Sequence, residues 1–254
     1  MSETSSRASE SSLQIDDEAV VWSVSREERS ERLAEQPLVI VMHGRGSHEN
    51  DLAALFPLLP EGVVYASLRA PISGAPWGMG GWTWFPLEAD GPTPAAAEAA
   101  ASAVLEWVDR TEQEYGAPPA IAALGFSQGG MMSIELHRAK PYRFAAAVNL
   151  SGTALRGERA GDDDLARRKP PLFWGYDLED PIIPAIGIER TEVFAPAYFS
   201  VTERRYDGIA HSISPEELGD VSRFLQEVLP LEVSTQTPAE TTAETPAEIP
   251  ADED

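Results

Sequence analysis

Cysteine is absent from all 254 residues. Its absence excludes a disulfide framework, a thiol nucleophile and cysteine-ligated zinc, and it fits a reducing compartment. Long apolar runs are missing too. No stretch reaches the eighteen or so residues of a membrane-spanning helix. The N-terminus, Met-Ser-Glu-Thr-Ser-Ser-Arg, lacks the basic start and apolar block of a secretory signal. The expectation is a cytoplasmic protein with no stable membrane insertion. Basic residues are scarce, 19 against 42 acidic ones, and the formal net charge is -23. Such a surface repels nucleic acid and anionic membrane, so neither is an expected partner. Seven of the acids and no base lie between Leu231 and Asp254, leaving -16 for the rest of the chain. Histidine is the last scarcity, with four residues, few enough to test one by one.

What is present is enough for one sizeable core. The composition is 43% hydrophobic, and a chain of this length buries most of its unfolded surface. Residues 1–16 are rich in Ser and Glu and predict disorder. Residues 231–254 repeat Thr, Pro, Ala and Glu and predict a disordered acidic tail. Between them, 17–230 reads as one domain. Strands are expected over Ala19–Val24, Pro37–His43, Val63–Leu68, Ala120–Phe126, Ala145–Leu150, Pro171–Tyr176 and Tyr198–Tyr206. Helices are expected over Asn50–Leu59, Pro94–Thr111, Gln128–Arg138, Pro184–Phe194 and Pro215–Leu229. Leu38-Val39-Ile40-Val41-Met42 is apolar without alternation, the mark of a strand buried on both faces of a parallel sheet. Strands separated by helices imply right-handed crossovers in an α/β domain. In such sheets ligands bind beyond the carboxyl ends of the strands.

The strongest chemical signal lies at one of those ends. Gly125-Phe126-Ser127-Gln128-Gly129 fits Gly-x-Ser-x-Gly between a strand and a helix. This is the nucleophile elbow of an α/β-hydrolase, in which a sharp turn lifts the serine hydroxyl clear of the sheet. The fold class that follows is an α/β-hydrolase, with a mostly parallel central sheet of about seven strands and helices on both faces. A serine hydroxyl needs a base within hydrogen-bond reach, and in this architecture the chain order is nucleophile, acid, histidine. Only His137 and His211 follow Ser127. His137 is ten residues along the same helix, about 15 Å away along its axis. That leaves His211, in Asp207-Gly208-Ile209-Ala210-His211-Ser212. The acid belongs after the strand Pro171–Tyr176, where Asp177, Glu179 and Asp180 follow. Asp180, leading into Pro181-Ile182-Ile183-Pro184, is preferred, with Asp177 the alternative. Two backbone N–H groups should face the developing oxyanion: that of Gln128, and that of Arg45 in His43-Gly44-Arg45-Gly46. His43 is expected to brace this loop. Trp82, Trp84 and Phe85, in a Gly-rich loop holding three of the six tryptophans, are expected to line an apolar acyl pocket.

With these pieces in hand, the chain resembles the phospholipase/carboxylesterase family, which includes acyl-protein thioesterases and small bacterial carboxylesterases. The matching stretches run from about Val39 to Leu229. They are Met42-His43-Gly44-Arg45-Gly46 with Asn50-Asp51-Leu52, Gly81-Trp82-Thr83-Trp84-Phe85, Gly125-Phe126-Ser127-Gln128-Gly129-Gly130, Asp180-Pro181-Ile182-Ile183-Pro184 and His211-Ser212-Ile213. The resemblance implies a triad of Ser127, Asp180 and His211, oxyanion donors at Arg45 and Gln128, and no metal or organic cofactor. It implies a small-molecule ester or thioester substrate; the expected assembly is a monomer or homodimer. The chain departs from the family where a glycine usually stands three residues before the acid. Asp177 holds that position here, and Gly175 lies two residues earlier. Residues 151–170 carry no recognisable motif, and the acidic tail is not part of the family pattern.

Overall fold

A computed structural model describes residues 12–86 and 91–231. Nine strands and seven α-helices follow one another along the described chain. They are β1 (Val21–Trp22), α1 (Arg29–Glu35), β2 (Leu38–Met42), α2 (Glu49–Ala53), β3 (Val64–Leu68), β4 (Ile72–Ser73), β5 (Trp82–Thr83) and α3 (Pro94–Tyr115). Then come β6 (Ile121–Phe126), α4 (Gln128–Ala139), β7 (Ala146–Leu150), α5 (Asp162–Arg168), β8 (Pro171–Tyr176), α6 (Ala185–Tyr198), β9 (Ser200–Arg205) and α7 (Pro215–Val228). Seven strands form one sheet in the order β1-β3-β2-β6-β7-β8-β9, and only the β1–β3 pair is antiparallel. This is the α/β-hydrolase architecture expected from the strand–helix alternation together with the serine elbow. Each of the seven expected strands is present, with ends within two residues of the expected ones.

The unbroken apolar strands are explained by the two faces they bury. Leu38, Ile40 and Met42 of β2 join a core with Ala97, Val104, Trp107 and Val108 of α3 and with Met132 and Leu136 of α4. Val39 and Val41, pointing the other way, join Leu218, Val221, Phe224 and Leu225 of α7. Period-2 side-chain alternation therefore serves two helical layers, and both layers require apolar residues.

The sequence patterns missed three pieces. Helix α1 has one buried residue, Leu33, and α5 buries only Asp162 and Leu165; neither gives an apolar period. The ribbon β4–β5 pairs two residues with two. The expected helix Asn50–Leu59 is instead α2 followed by a 3-10 turn, Phe56–Leu58, because Pro57 has no N–H to continue the helical ladder. The expected disordered segment 1–16 overlaps the described chain at its end. There Ile15 is buried in the core and its carbonyl accepts from Arg110 Nη2 at 3.2 Å. Order thus reaches closer to the N-terminus than the Ser-rich composition implied. Residues 1–11 and 232–254 lie outside the described residues. Among the described residues no helix is long and apolar enough to cross a membrane.

The motif-free stretch 151–170 is tied to α4 by buried charges. Arg138 donates to both Asp162 oxygens, at 2.8 and 2.7 Å, and to Glu135 Oε1 at 3.0 Å. It also donates to the carbonyls of Leu155 at 3.1 Å and Gly157 at 2.5 Å. Arg159 closes the network on Glu135 Oε2 at 2.8 Å. All four charged groups are buried. Removing one member of such a network strands its partners without water. We expect Arg138→Ala to lower unfolding free energy by about 3–5 kcal/mol, read from a denaturant titration.

Glu217 is the opposite case. It is fully buried on α7, and neither carboxyl oxygen has a hydrogen-bond partner among the described residues. Burial pushes its pKa up to about 7, with the nearby backbone N–H of Ser214 opposing the rise and the charge of Asp220 adding to it. As pH rises past about 4.5, the unfolded chain releases this proton first, so this group costs stability progressively up to pH 7 and fully above it. Glu217→Gln should therefore stabilise the protein above pH 7, by on the order of 3 kcal/mol. Wild type and variant should converge near pH 4, as thermal unfolding across that range would show.

Candidate active site

The elbow is built as its glycines require. Ser127 has φ 55° and ψ -115°, a left-handed conformation that costs a non-glycine residue about 1–3 kcal/mol. A Cβ on Gly129 would collide with the Met42 carbonyl, and one on Gly125 with the Gly129 backbone. Those two glycines let the start of α4 cross the ends of β2 and β6 at close range. The Ser127 N–H donates to the Leu150 carbonyl at 2.7 Å and pins the turn to β7.

Around this serine the loops after β8 and β9 bring in the expected partners. His211 Nε2 lies 2.9 Å from Ser127 Oγ. His211 Nδ1 lies 2.6 Å from Asp180 Oδ2. The other Asp180 oxygen accepts from the N–H groups of Ile182 at 2.8 Å and Ile183 at 3.0 Å, which orients the carboxylate. The Phe126 ring packs on the imidazole with centroids 4.8 Å apart. Asp177 does not meet the histidine ring. Its oxygens accept from the N–H groups of Glu179 at 2.9 Å and Ala210 at 2.8 Å. These amides pull its pKa below the usual carboxylate range, the Glu179 N–H most of all. Asp177 thus ties the loop after β8 to the residue preceding His211, which takes up a strained φ of 53°.

The other histidines are structural. His43 is fully buried, and burial pulls its pKa down. Its Nε2 accepts from the Ala70 N–H at 3.1 Å, so the proton is on Nδ1, which donates to the Gly44 carbonyl at 2.7 Å. His137 is buried, pushed down to about 4 by desolvation, and bonded to the Ser133 carbonyl. His48 caps α2.

Arg45 stands in the loop after β2, and its N–H has no acceptor among the described residues. Gln128 is the first residue of α4, so its N–H has no carbonyl within the helix. Its side chain has a second task that the sequence did not reveal. The amide oxygen accepts from Thr83 Oγ at 2.9 Å and the Trp84 N–H at 2.8 Å, and Nε2 donates to the Phe85 carbonyl at 2.8 Å. This corrects the expectation for the aromatic loop. Trp84 and Phe85 are fully buried in the core, and Trp84 Nε1 donates to the His43 carbonyl at 2.9 Å. Trp82 lies beneath the Arg69 guanidinium, 5.0 Å from its ring centroid. None of the three lines the cavity at Ser127. They buttress the loop carrying Arg45 from behind, because their backbone polar groups are bonded inward.

The cavity beside Ser127 is about 300 Å³. Its apolar wall includes Met131, Leu155, Ile183 and Ile186, and three arginines, Arg45, Arg156 and Arg190, also line it. Ile182 and Ile186 stand more than half exposed at its rim. Among the described residues no group of three or more His, Asp or Glu side chains is placed to hold a metal ion.

A family model described as Phospholipase/Carboxylesterase matches residues 27–229. Acyl-protein thioesterase 1 of Kluyveromyces lactis is 27% identical over 213 residues, covering 76% of this chain and 92% of that protein. Among solved structures, the esterase PE8 superposes with a TM-score of 0.64 at 25% identity, over 86% of this chain and 100% of that one. The Bacillus cereus carboxylesterase gives 0.67 at 20% identity, over 82% and 93% respectively, a likeness of fold alone.

The two aspartates should separate in a labelling experiment. The rate at which a fluorophosphonate modifies Ser127 should fall about 10⁴-fold in Asp180→Ala. In Asp177→Ala it should fall about 10- to 100-fold, the scale of a misplaced catalytic group. Equal losses would mean that Asp177 does more than hold the loop.

Proposed function

We propose that this chain, which belongs to the phospholipase/carboxylesterase family, is a serine carboxylesterase that hydrolyses esters of small to medium acyl chains. The observation that carries this reading is the unbroken relay from Ser127 Oγ through His211 to Asp180, at 2.9 and 2.6 Å, on a strained elbow. In the proposed reaction Ser127 Oγ attacks the acyl carbon as His211 Nε2 takes its proton. Nδ1–H of His211 donates to Asp180, which holds the tautomer and stabilises the imidazolium. The N–H groups of Arg45 and Gln128 face the oxyanion, each worth on the order of 2.7–4 kcal/mol in the transition state. The imidazolium then protonates the leaving alcohol, and the acyl group stays on Ser127. Water, deprotonated by the same histidine, releases the acid and restores the serine.

The apolar wall of Met131, Leu155, Ile183 and Ile186 gives the acyl chain its place. The cavity volume of about 300 Å³ suits a short to medium chain. A second reading, an acyl thioesterase, draws on the likeness to acyl-protein thioesterase 1. Thioesters use the same serine chemistry with a thiolate as leaving group.

Ser127→Ala should reduce kcat for an activated short-chain ester by on the order of a millionfold while the thermal melt stays at or above that of wild type. Undiminished turnover by the pure variant would overturn the reading. A panel of esters, thioesters and lysolipids of increasing chain length separates the two substrate classes by kcat/KM.

A further inference from the structure

The chain carries a charge of -23, yet the cavity beside Ser127 is lined by three cations, Arg45, Arg156 and Arg190. The rest of the arginines are used differently. Of the sixteen among the described residues, eleven form an ion pair with a carboxylate. Five do not. Arg29 lies over the Trp22 ring and donates to the Tyr115 hydroxyl. Arg168 donates to the Pro141 carbonyl beside the Tyr142 ring. The other three are the three in the cavity. Carboxylates outnumber cations two to one in this chain, so arginines gathered without them need a reason.

Of these, Arg190 is held through its side chain and Arg156 through its backbone. Arg190 is half-buried on α6, and its Nε donates to the Ala154 carbonyl at 2.6 Å. Its two Nη groups have no acceptor among the described residues. Arg156 belongs to the loop clamped by the buried Arg138 network, and its carbonyl accepts from Arg159 Nη1 at 3.2 Å. Burial, and then the charge of Arg156, lower the Arg190 pKa. Two guanidinium groups thus line one cavity, Arg190 half-buried and Arg156 exposed. Planar guanidinium groups match carboxylate and phosphate oxygens with paired donors.

We propose that the preferred substrates are esters bearing a second, anionic group, a carboxylate or a phosphate, which Arg156 and Arg190 receive while the ester carbonyl meets Ser127. The proposal rests on the esterase reading of Ser127 and names its substrate class. The acidic exterior does not oppose it strongly. Exposed charges are screened beyond about 8 Å at physiological salt, whereas contacts inside a partly buried cavity are screened much less. The spacer between ester and anion would pass along Met131, Leu155 and Ile186.

The test compares kcat/KM for matched esters on the full chain. One arm sets mono-4-nitrophenyl glutarate against 4-nitrophenyl butyrate, with the carboxylate on the acyl side. The other sets 2-phosphoethyl butyrate against ethyl butyrate, with the phosphate on the alcohol side. The expected result is a preference of about tenfold or more for the anionic member in at least one arm, shrinking in about 0.5 M salt. Which arm responds identifies the group and the side. Arg156→Gln/Arg190→Gln should cut that ratio about tenfold, and Arg156→Lys/Arg190→Lys should keep most of it. Arg156 is exposed, so Arg156→Gln alone serves if the double variant does not fold.

Turnover of neutral esters with no anionic preference in either arm overturns this proposal and leaves the esterase reading standing. So does a preference that survives both arginine substitutions. No turnover of any ester overturns both. Glu88 and Asp90, adjacent to Gly91 of the cavity wall, lie outside the described residues. If wild type lacks the preference and Glu88→Gln/Asp90→Asn gains it, the arginines are partners of those carboxylates and the proposal fails.

Discussion

The site depends on the closeness of the start of α4 to the ends of β2 and β6. At Gly129 a single added carbon would strike the Met42 carbonyl. That approach forces the turn in which Ser127 takes φ 55°, and the surrounding sheet bears its conformational cost. Parallel strands make this feasible, because their ladder leaves β2, β6, β7, β8 and β9 ending on one edge. Arg45, Ser127, Asp180 and His211 each follow one of those ends. The geometry of the proposed site is thus a product of strand order as much as of the residues themselves.

Behind the reacting groups is a second layer of hydrogen bonds. Gln128 joins α4 to the Thr83–Phe85 turn, Trp84 joins that turn to the His43 carbonyl, and His43 joins the loop to Ala70. Asp177 does the same on the other side, from the β8 loop to Ala210. Each of these groups is buried, so its hydrogen bonds are less exposed to competition from water. Their effect is to hold the first layer in one geometry, which is what oriented catalysis needs.

A third layer consists of charge. The buried Arg138–Asp162–Glu135–Arg159 network fixes a segment that has few apolar residues with which to fold itself. It also sets where the 155–159 loop passes the cavity. A strongly acidic protein thus surrounds a cavity whose charged lining, among the described residues, is cationic. Two scales of electrostatics coexist because salt screens the exposed charges and leaves short contacts intact.

The sequence by itself determined the fold class and singled out Ser127 and His211 as the proposed nucleophile and base. Those signals are local: unbroken apolar strands, glycines flanking Ser127, and a choice among four histidines that chain order and helix length decide. The acid was narrowed to two aspartates, which lie three residues apart and are chemically alike. Only the folded loop shows that backbone amides occupy Asp177 and leave Asp180 to the imidazole. The aromatic loop misled because composition does not say which way a ring faces, and the bonds that turn Trp84 inward come from His43 and Gln128, 41 and 44 residues away. Nor could the sequence assemble the cavity wall from Arg45, Met131, Leu155, Arg156 and Arg190. Their meeting depends on how the crossovers pack on the sheet, and that is decided in three dimensions.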